Sequence, residues 1–279
     1  MLYTLLGIVG VYLGACWAMS GQYLSPARRL ASVPAWMRVK TWGGQECFVS
    51  PALAEGKPVP LVFVLAHGLG GSRDAFTETA RTLDQAGYGV ILPPMPGQDS
   101  NAAPRIGFGV EESELLAKIV TEARALPGHP KVIVGGVSMG GAAAWLTTQR
   151  VPVDGVITES AYAEADRAAN DFLNSRMRGG AILFHPVVVF GGWRSGIGLG
   201  QIRPVDAARE YRGPATVIHA GNDQLFARAH AEELAEAAHT TPIYLAGTGH
   251  AHARDLEPEH YDGLFLDLAR KVLAEKGTR

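Results

Sequence analysis

Cysteine is scarce in this chain: Cys16 and Cys47 are the only two among 279 residues. Two thiols cannot make a disulfide framework, and Cys16 lies in an apolar leader, so cysteine usage leaves the redox compartment open. An excess of charge is missing as well. Lys and Arg number 25 against 27 Asp and Glu, a net charge of −2, which gives no electrostatic footprint for nucleic acid and predicts no nucleic-acid partner. Neither G-x-G-x-x-G nor G-x-x-x-x-G-K-[ST] is completed anywhere, so the glycine-rich turns are not phosphate cradles of those kinds. Internal repeats and low-complexity stretches are also lacking.

Charge disappears altogether from Met1 to Ala27. Within that segment Leu2 to Met19 reads LYTLLGIVGVYLGACWAM, and about 18 to 20 apolar helical residues cross the hydrocarbon core of a bilayer. Tyr3, Tyr12, Trp17 and Tyr23 add rings of the kind found at the headgroup level. A secretory signal peptide would carry Lys or Arg before the apolar run. Here the basic residues follow it, at Arg28, Arg29, Arg38 and Lys40. This order predicts an uncleaved single-pass anchor over residues 1–27, in contact with membrane lipid, with the following domain on the cytoplasmic side. A leader cleaved or lipidated near Leu13-Gly14-Ala15-Cys16, and a buried core helix, are the other readings of the same residues.

The remainder, residues 28–279, is long enough to bury one large core. It alternates short β-branched runs with helical stretches. Trp36 to Trp42 and Glu46 to Val49 read as a hairpin around Gly43-Gly44, Pro60 to Leu65 as a buried strand, and Asp74 to Ala86 as a helix. Strands at Tyr88–Leu92, Lys131–Val134, Gly155–Thr158, Ala215–His219 and Pro242–Leu245 alternate with helices at 110–126, 161–173, 227–238 and 259–275. Repeated β-then-α units predict a doubly wound, mostly parallel α/β sheet with helices on both faces. One stretch interrupts the alternation: Asn174 to Gln201, strongly apolar from Ala181 to Phe190. It reads either as a small lid over the carboxyl edge of the sheet or as a packed excursion with a buried strand.

The chemistry centres on Lys131 to Trp145, KVIVGGVSMGGAAAW. An apolar strand pattern runs into Gly136-Val137-Ser138-Met139-Gly140 and then into good helix formers. This is the G-x-S-x-G layout of a nucleophile elbow, which holds its serine in a strained conformation clear of the sheet. A serine hydroxyl at neutral pH is a poor nucleophile and requires a histidine base, itself oriented by a carboxylate. Asp223 ends the strand-to-turn run TVIHAGND, and His250 ends IYLAGTGH. Both fall after late strands, where open α/β sheets place their sites. His252 is the nearest rival to His250, and an Asx turn or helix cap is the structural use open to Asp223. Ala66-His67-Gly68-Leu69-Gly70-Gly71-Ser72 follows the strand at 61–65. Its open backbone can aim the Leu69 N–H, together with the Met139 N–H, at a developing oxyanion.

HGLGG after an apolar strand, GVSMGG, HAGNDQLF and GTGH, in this order and spacing, together resemble the α/β-hydrolase superfamily from Trp36 to Thr278. Pro204-Val205-Asp206-Ala207-Ala208 looks like its membrane-tethered and cytosolic acyl-hydrolase branch. The resemblance implies a Ser138–Asp223–His250 triad, an acyl-enzyme mechanism on a small acyl ester or thioester, and neither metal nor organic cofactor. An acyltransferase or a peptidase could use the same triad, and a non-catalytic binding protein could use the same scaffold. His250, His252, Asp255 and His260 are the residues from which a metal-dependent hydrolase would have to be built. Oligomeric state is not legible.

Overall fold

The computed structural model describes residues 2–176 and 178–275. It opens with helix α1 (Leu2–Leu24), followed by strands β1 (Arg38–Trp42) and β2 (Gln45–Val49), which form the expected antiparallel hairpin across Gly43 and Gly44. Both glycines take positive φ, the conformation a tight hairpin turn demands. Next come α2 (Pro51–Ala54), β3 (Leu61–Ala66), α3 (Thr77–Gln85), β4 (Gly89–Leu92), α4 (Val110–Arg124), β5 (Lys131–Val137), α5 (Met139–Thr147) and β6 (Gly155–Glu159). The chain then runs through α6 (Ala165–Arg176), α7 (Gly180–Leu183), α8 (His185–Ser195) and α9 (Pro204–Glu210). It closes with β7 (Ala215–Ala220), α10 (Arg228–Ala237), β8 (Pro242–Leu245) and α11 (Pro258–Ala274).

The eight strands make one sheet in the order β1-β2-β4-β3-β5-β6-β7-β8. β2 is antiparallel to its neighbours β1 and β4; every pairing from β4 to β8 is parallel. Parallel strands need helical crossovers, which cover both faces and explain why β3 reads as an unbroken apolar run. Alternate residues divide between the two layers. Val62, Val64 and Ala66 belong to one core layer with Leu116 and Ile119 of α4, Trp145 of α5 and Leu234 of α10. Leu61, Phe63 and Leu65 belong to the other with Leu83 of α3 and Phe265 and Leu268 of α11.

The helix expected over 161–173 starts only at Ala165. Its first residues are engaged elsewhere: Ser160 takes a positive φ, the Tyr162 hydroxyl donates to the Phe108 carbonyl at 2.8 Å, and the Ala163 N–H donates to His230 Nδ1 at 3.1 Å. The Ala165 N–H donates to the Ile202 carbonyl at 3.0 Å and the Ala163 carbonyl accepts the Val205 N–H at 3.1 Å, so two groups that a helix from 161 would pair internally are taken by distant residues. The insertion at 174–201 contains helices, and no strand among the described residues.

Helix α1 packs against the rest of the chain. Cys16, Ser20 and Leu24, four residues apart, form a buried stripe on one face of α1. That face packs on α8, with the Trp17 and Phe190 rings edge to face at 5.5 Å and the Arg194 guanidinium 4.6 Å over Trp17. Beyond the helix, Arg28 donates to the carbonyls of Asn101 and Ala103, and the Ala31 N–H to Asp99. The first half of α1 exposes Tyr3, Leu5, Leu6, Ile8 and Val11. α1 is the one helix among the described residues long and apolar enough to cross a membrane.

Candidate active site

β5 and α5 meet at Ser138, which holds φ 53° and ψ −121°. For a residue with a Cβ this left-handed φ is strained, and the neighbouring glycines make it possible. A Cβ on Gly140 would lie 2.2 Å from the Ala66 carbonyl oxygen, and one on Gly136 would lie 2.5 Å from the same atom. Only glycine at both positions lets strand, turn and helix pass this close to β3. The Ser138 N–H donates to the Glu159 carbonyl at 2.8 Å, locking the turn to the end of β6.

Asp223 and His250 follow β7 and β8 and converge on that serine. His250 Nε2 is 2.8 Å from Ser138 Oγ, and His250 Nδ1 is 2.8 Å from Asp223 Oδ2. The other Asp223 oxygen accepts the N–H groups of Leu225 and Phe226, each at 2.9 Å. Asp223 is therefore both the Asx turn open to it from sequence and the partner of the imidazole. Burial works to raise its pKa. The hydrogen bond and charge of His250, with the two backbone donors, outweigh burial and hold the carboxyl below its ordinary value. The Phe226 ring lies edge-on to the imidazole, centroids 4.7 Å apart. His252 faces away, largely exposed and 3.1 Å from Asp255.

The loop after β3 runs directly under the serine: a Cβ on Gly68 would meet Ser138 Cβ at 3.1 Å. His67 braces it. Its Nε2 accepts the Met95 N–H at 3.2 Å, so the neutral ring carries its proton on Nδ1, 2.9 Å from the Gly68 carbonyl. Burial pushes the His67 pKa down, in keeping with a neutral ring. Gln98 accepts the Gly70 N–H at 2.5 Å and fixes the far side of the loop. The Leu69 N–H, between these braces, donates to no acceptor among the described residues. The Met139 N–H is the first of α5 and has no intrahelical acceptor.

A cavity of about 270 Å³ opens above Ser138 and His250, just under the roughly 300 Å³ at which typical small-molecule sites begin. Leu69, Met139, Phe172, Val187, Leu225 and Phe226 are among its predominantly apolar lining residues. Among the described residues no group of three His, Cys, Asp or Glu side chains is placed to hold a metal ion.

Residues 62–188 match the family model described as the alpha/beta hydrolase fold. The chain has the α/β-hydrolase fold. An esterase from Pyrococcus furiosus has a similar structure, with a TM-score of 0.71 at 15% identity over 89% of this chain and 97% of that one. An enol-lactonase from Burkholderia xenovorans superposes with a TM-score of 0.56 at 16% identity, over 84% of this chain and 100% of its own. These two likenesses concern the fold. In sequence, the chain is 32% identical to Lipase 1 of Psychrobacter immobilis over 100 residues. That match spans 36% of the chain and only 29% of the lipase.

Sequence reasoning did not find several residues of this site. Glu159 is buried, accepting the Ala253 N–H at 2.8 Å and the Tyr261 hydroxyl at 2.9 Å, so it ties the His250 loop to the end of β6, whose Glu159 carbonyl also holds the Ser138 turn. Burial raises its pKa. Gln98, Phe226, Ser20 and Tyr23 were equally silent. Their roles depend on contacts with distant segments, and nothing local in the sequence signals them.

Proposed function

We propose that this protein is a serine hydrolase that cleaves a carboxylic ester or thioester through an acyl-enzyme intermediate, with Ser138 as nucleophile. The observation that carries the reading is the continuous chain from Ser138 Oγ to His250 Nε2 and from His250 Nδ1 to Asp223, two bonds of 2.8 Å under an apolar cavity. The esterase and lipase names of its relatives agree with it.

His250 takes the Ser138 proton as Oγ attacks the substrate carbonyl. Asp223 keeps the imidazole in the tautomer with its proton on Nδ1 and stabilises the imidazolium that forms. The N–H groups of Leu69 and Met139 receive the negative charge on the former carbonyl oxygen, aided by the positive end of the α5 dipole. Removing one such donor typically costs about 3–4 kcal/mol of transition-state stabilisation. The tetrahedral species collapses as His250 gives its proton to the departing alkoxide or thiolate. Water then loses a proton to His250 and attacks the acyl-enzyme, releasing the acid and restoring Ser138. No step draws on a metal or an organic cofactor. The uncharged α1 anchors this chemistry at a membrane, with the catalytic domain on the cytoplasmic side.

A fluorophosphonate reacts with an activated serine and with few others. The wild-type protein should be labelled at Ser138 and should hydrolyse p-nitrophenyl acetate. Ser138→Ala should lose both while keeping the wild-type thermal transition. Undiminished ester turnover in that variant would remove the assignment.

A further inference from the structure

One wall of the cavity above Ser138 comes from neither the sheet nor the 174–201 insertion. Ser20 and Tyr23, in the last turns of α1, line the same space as Ser138 and His250. The Tyr23 ring meets Phe172 edge-on, centroids 5.3 Å apart. Ser20 is 1% exposed, and its hydroxyl turns back to the Trp17 carbonyl of its own helix at 2.7 Å. A hydroxyl spent in this way leaves little polarity for the cavity, so Ser20 acts there as a small, nearly apolar surface.

Specific contacts keep this wall in place. The Leu24 carbonyl accepts the Ile106 N–H at 2.9 Å, and Arg194 of α8 donates to the Trp17 carbonyl at 3.2 Å. Arg105, from the loop that holds Leu24, donates to the carbonyls of Arg194 and Ser195 at 2.6 and 3.0 Å. The end of α1, this loop and α8 are thus one hydrogen-bonded assembly above the serine. A cavity of about 270 Å³ with a mainly apolar lining has room for an acyl chain of several carbons and not for a bulky polar group.

We infer that the end of α1 is a specificity-determining wall of the acyl site, and that the substrates are esters of medium-length, apolar acyl groups. The segment that reads as an anchor is in this way also part of the substrate pocket. The inference rests on the serine-hydrolase reading for its chemistry, and on the cavity alone for its geometry.

The test uses the full chain in a bulky steroid detergent and a series of p-nitrophenyl esters from acetate to dodecanoate, together with calorimetric binding of octanoate. Wild type should favour the octanoate ester. Ser20→Phe, whose ring fills the cavity, should lower kcat/KM for that ester roughly tenfold or more while acetate changes by less than about threefold. It should also weaken octanoate binding by a similar factor. Tyr23→Ala, which widens the cavity with little risk to folding, should move the optimum to longer chains and decides the matter alone if Ser20→Phe does not fold. Folded variants with the wild-type chain-length profile and wild-type octanoate affinity would overturn the wall. If wild type turned over no ester, the hydrolase reading would fall, and octanoate binding by the variants would still decide the geometry.

Discussion

Asp223→Asn changes one atom of the proposed relay, and the hydrogen bonds around that carboxylate set the expected outcome. Asp223 Oδ1 accepts two backbone N–H groups, from Leu225 and Phe226, at 2.9 Å each. An asparagine must keep its carbonyl oxygen there. The reverse orientation would set an NH₂ group against two part-buried donors, at about 1 kcal/mol or more for each bond lost. The amide nitrogen therefore takes the place of Oδ2, 2.8 Å from His250 Nδ1. It can only donate, so Nδ1 must accept and the neutral ring carries its proton on Nε2. That proton points at Ser138 Oγ, which then has no base to receive its own. Loss of the correct tautomer in a serine triad costs about 10⁴ in kcat, which at about 1.36 kcal/mol per decade is roughly 5 kcal/mol of transition-state stabilisation. The assay is kcat for p-nitrophenyl acetate, with a thermal melt to establish that the variant is folded. A folded Asp223→Asn that loses less than about tenfold would refute the assignment of Asp223 as the orienting carboxylate.

Two further outcomes follow from buried carboxylates. Glu112 is fully buried, accepts the N–H groups of Gly107 and Gly109 at 2.9 and 2.8 Å, and is pushed by burial from its ordinary 4.5 to about 7. The native state thus binds this proton more tightly than the unfolded chain. The stability it contributes is fully present below pH 4.5 and is lost as pH rises to about 7. At about 1.4 kcal/mol per pH unit, the interval 7 − 4.5 = 2.5 amounts to on the order of 3 kcal/mol. Urea denaturation of wild type and Glu112→Gln should therefore show wild type losing ground across that window, and parallel curves would contradict it. Glu159→Ala removes the acceptor of the Ala253 N–H and frees the His250 loop; kcat should fall roughly ten- to a hundredfold, as expected when a catalytic group is displaced by about 1 Å. Tyr261→Phe keeps that backbone bond and should cost stability with little change in kcat; equal losses in both variants would show that Glu159 has no positioning role.

Much of the architecture was legible because its causes are local. A β-branched run such as Val132-Ile133-Val134 is buried wherever the chain goes, and eight strands fall close to the residues expected of them. The elbow was legible for the same reason: glycines two before and two after Ser138 are demanded by the close approach of Ala66, and they mark the turn before any partner is known. Boundaries failed where distant groups intervene. The helix after β6 starts four residues late because Ile202 takes the N–H of Ala165 and Val205 takes the carbonyl of Ala163, both of which a helix from 161 would pair internally.

By itself the sequence determined the layered α/β class, the glycine-flanked turn at Ser138, the placing of Asp223 and His250 after the last two strands, and the apolar character of residues 1–27, each a matter of near-neighbour pattern. The tertiary structure alone decided which histidine faces Ser138, 112 residues away along the chain, and that Asp223 closes its own turn while holding His250. It also decided that Glu159 binds two loops together and that α1 returns to wall the cavity. Contacts of that range are set by how whole layers pack, and residue spacing along the chain does not encode them.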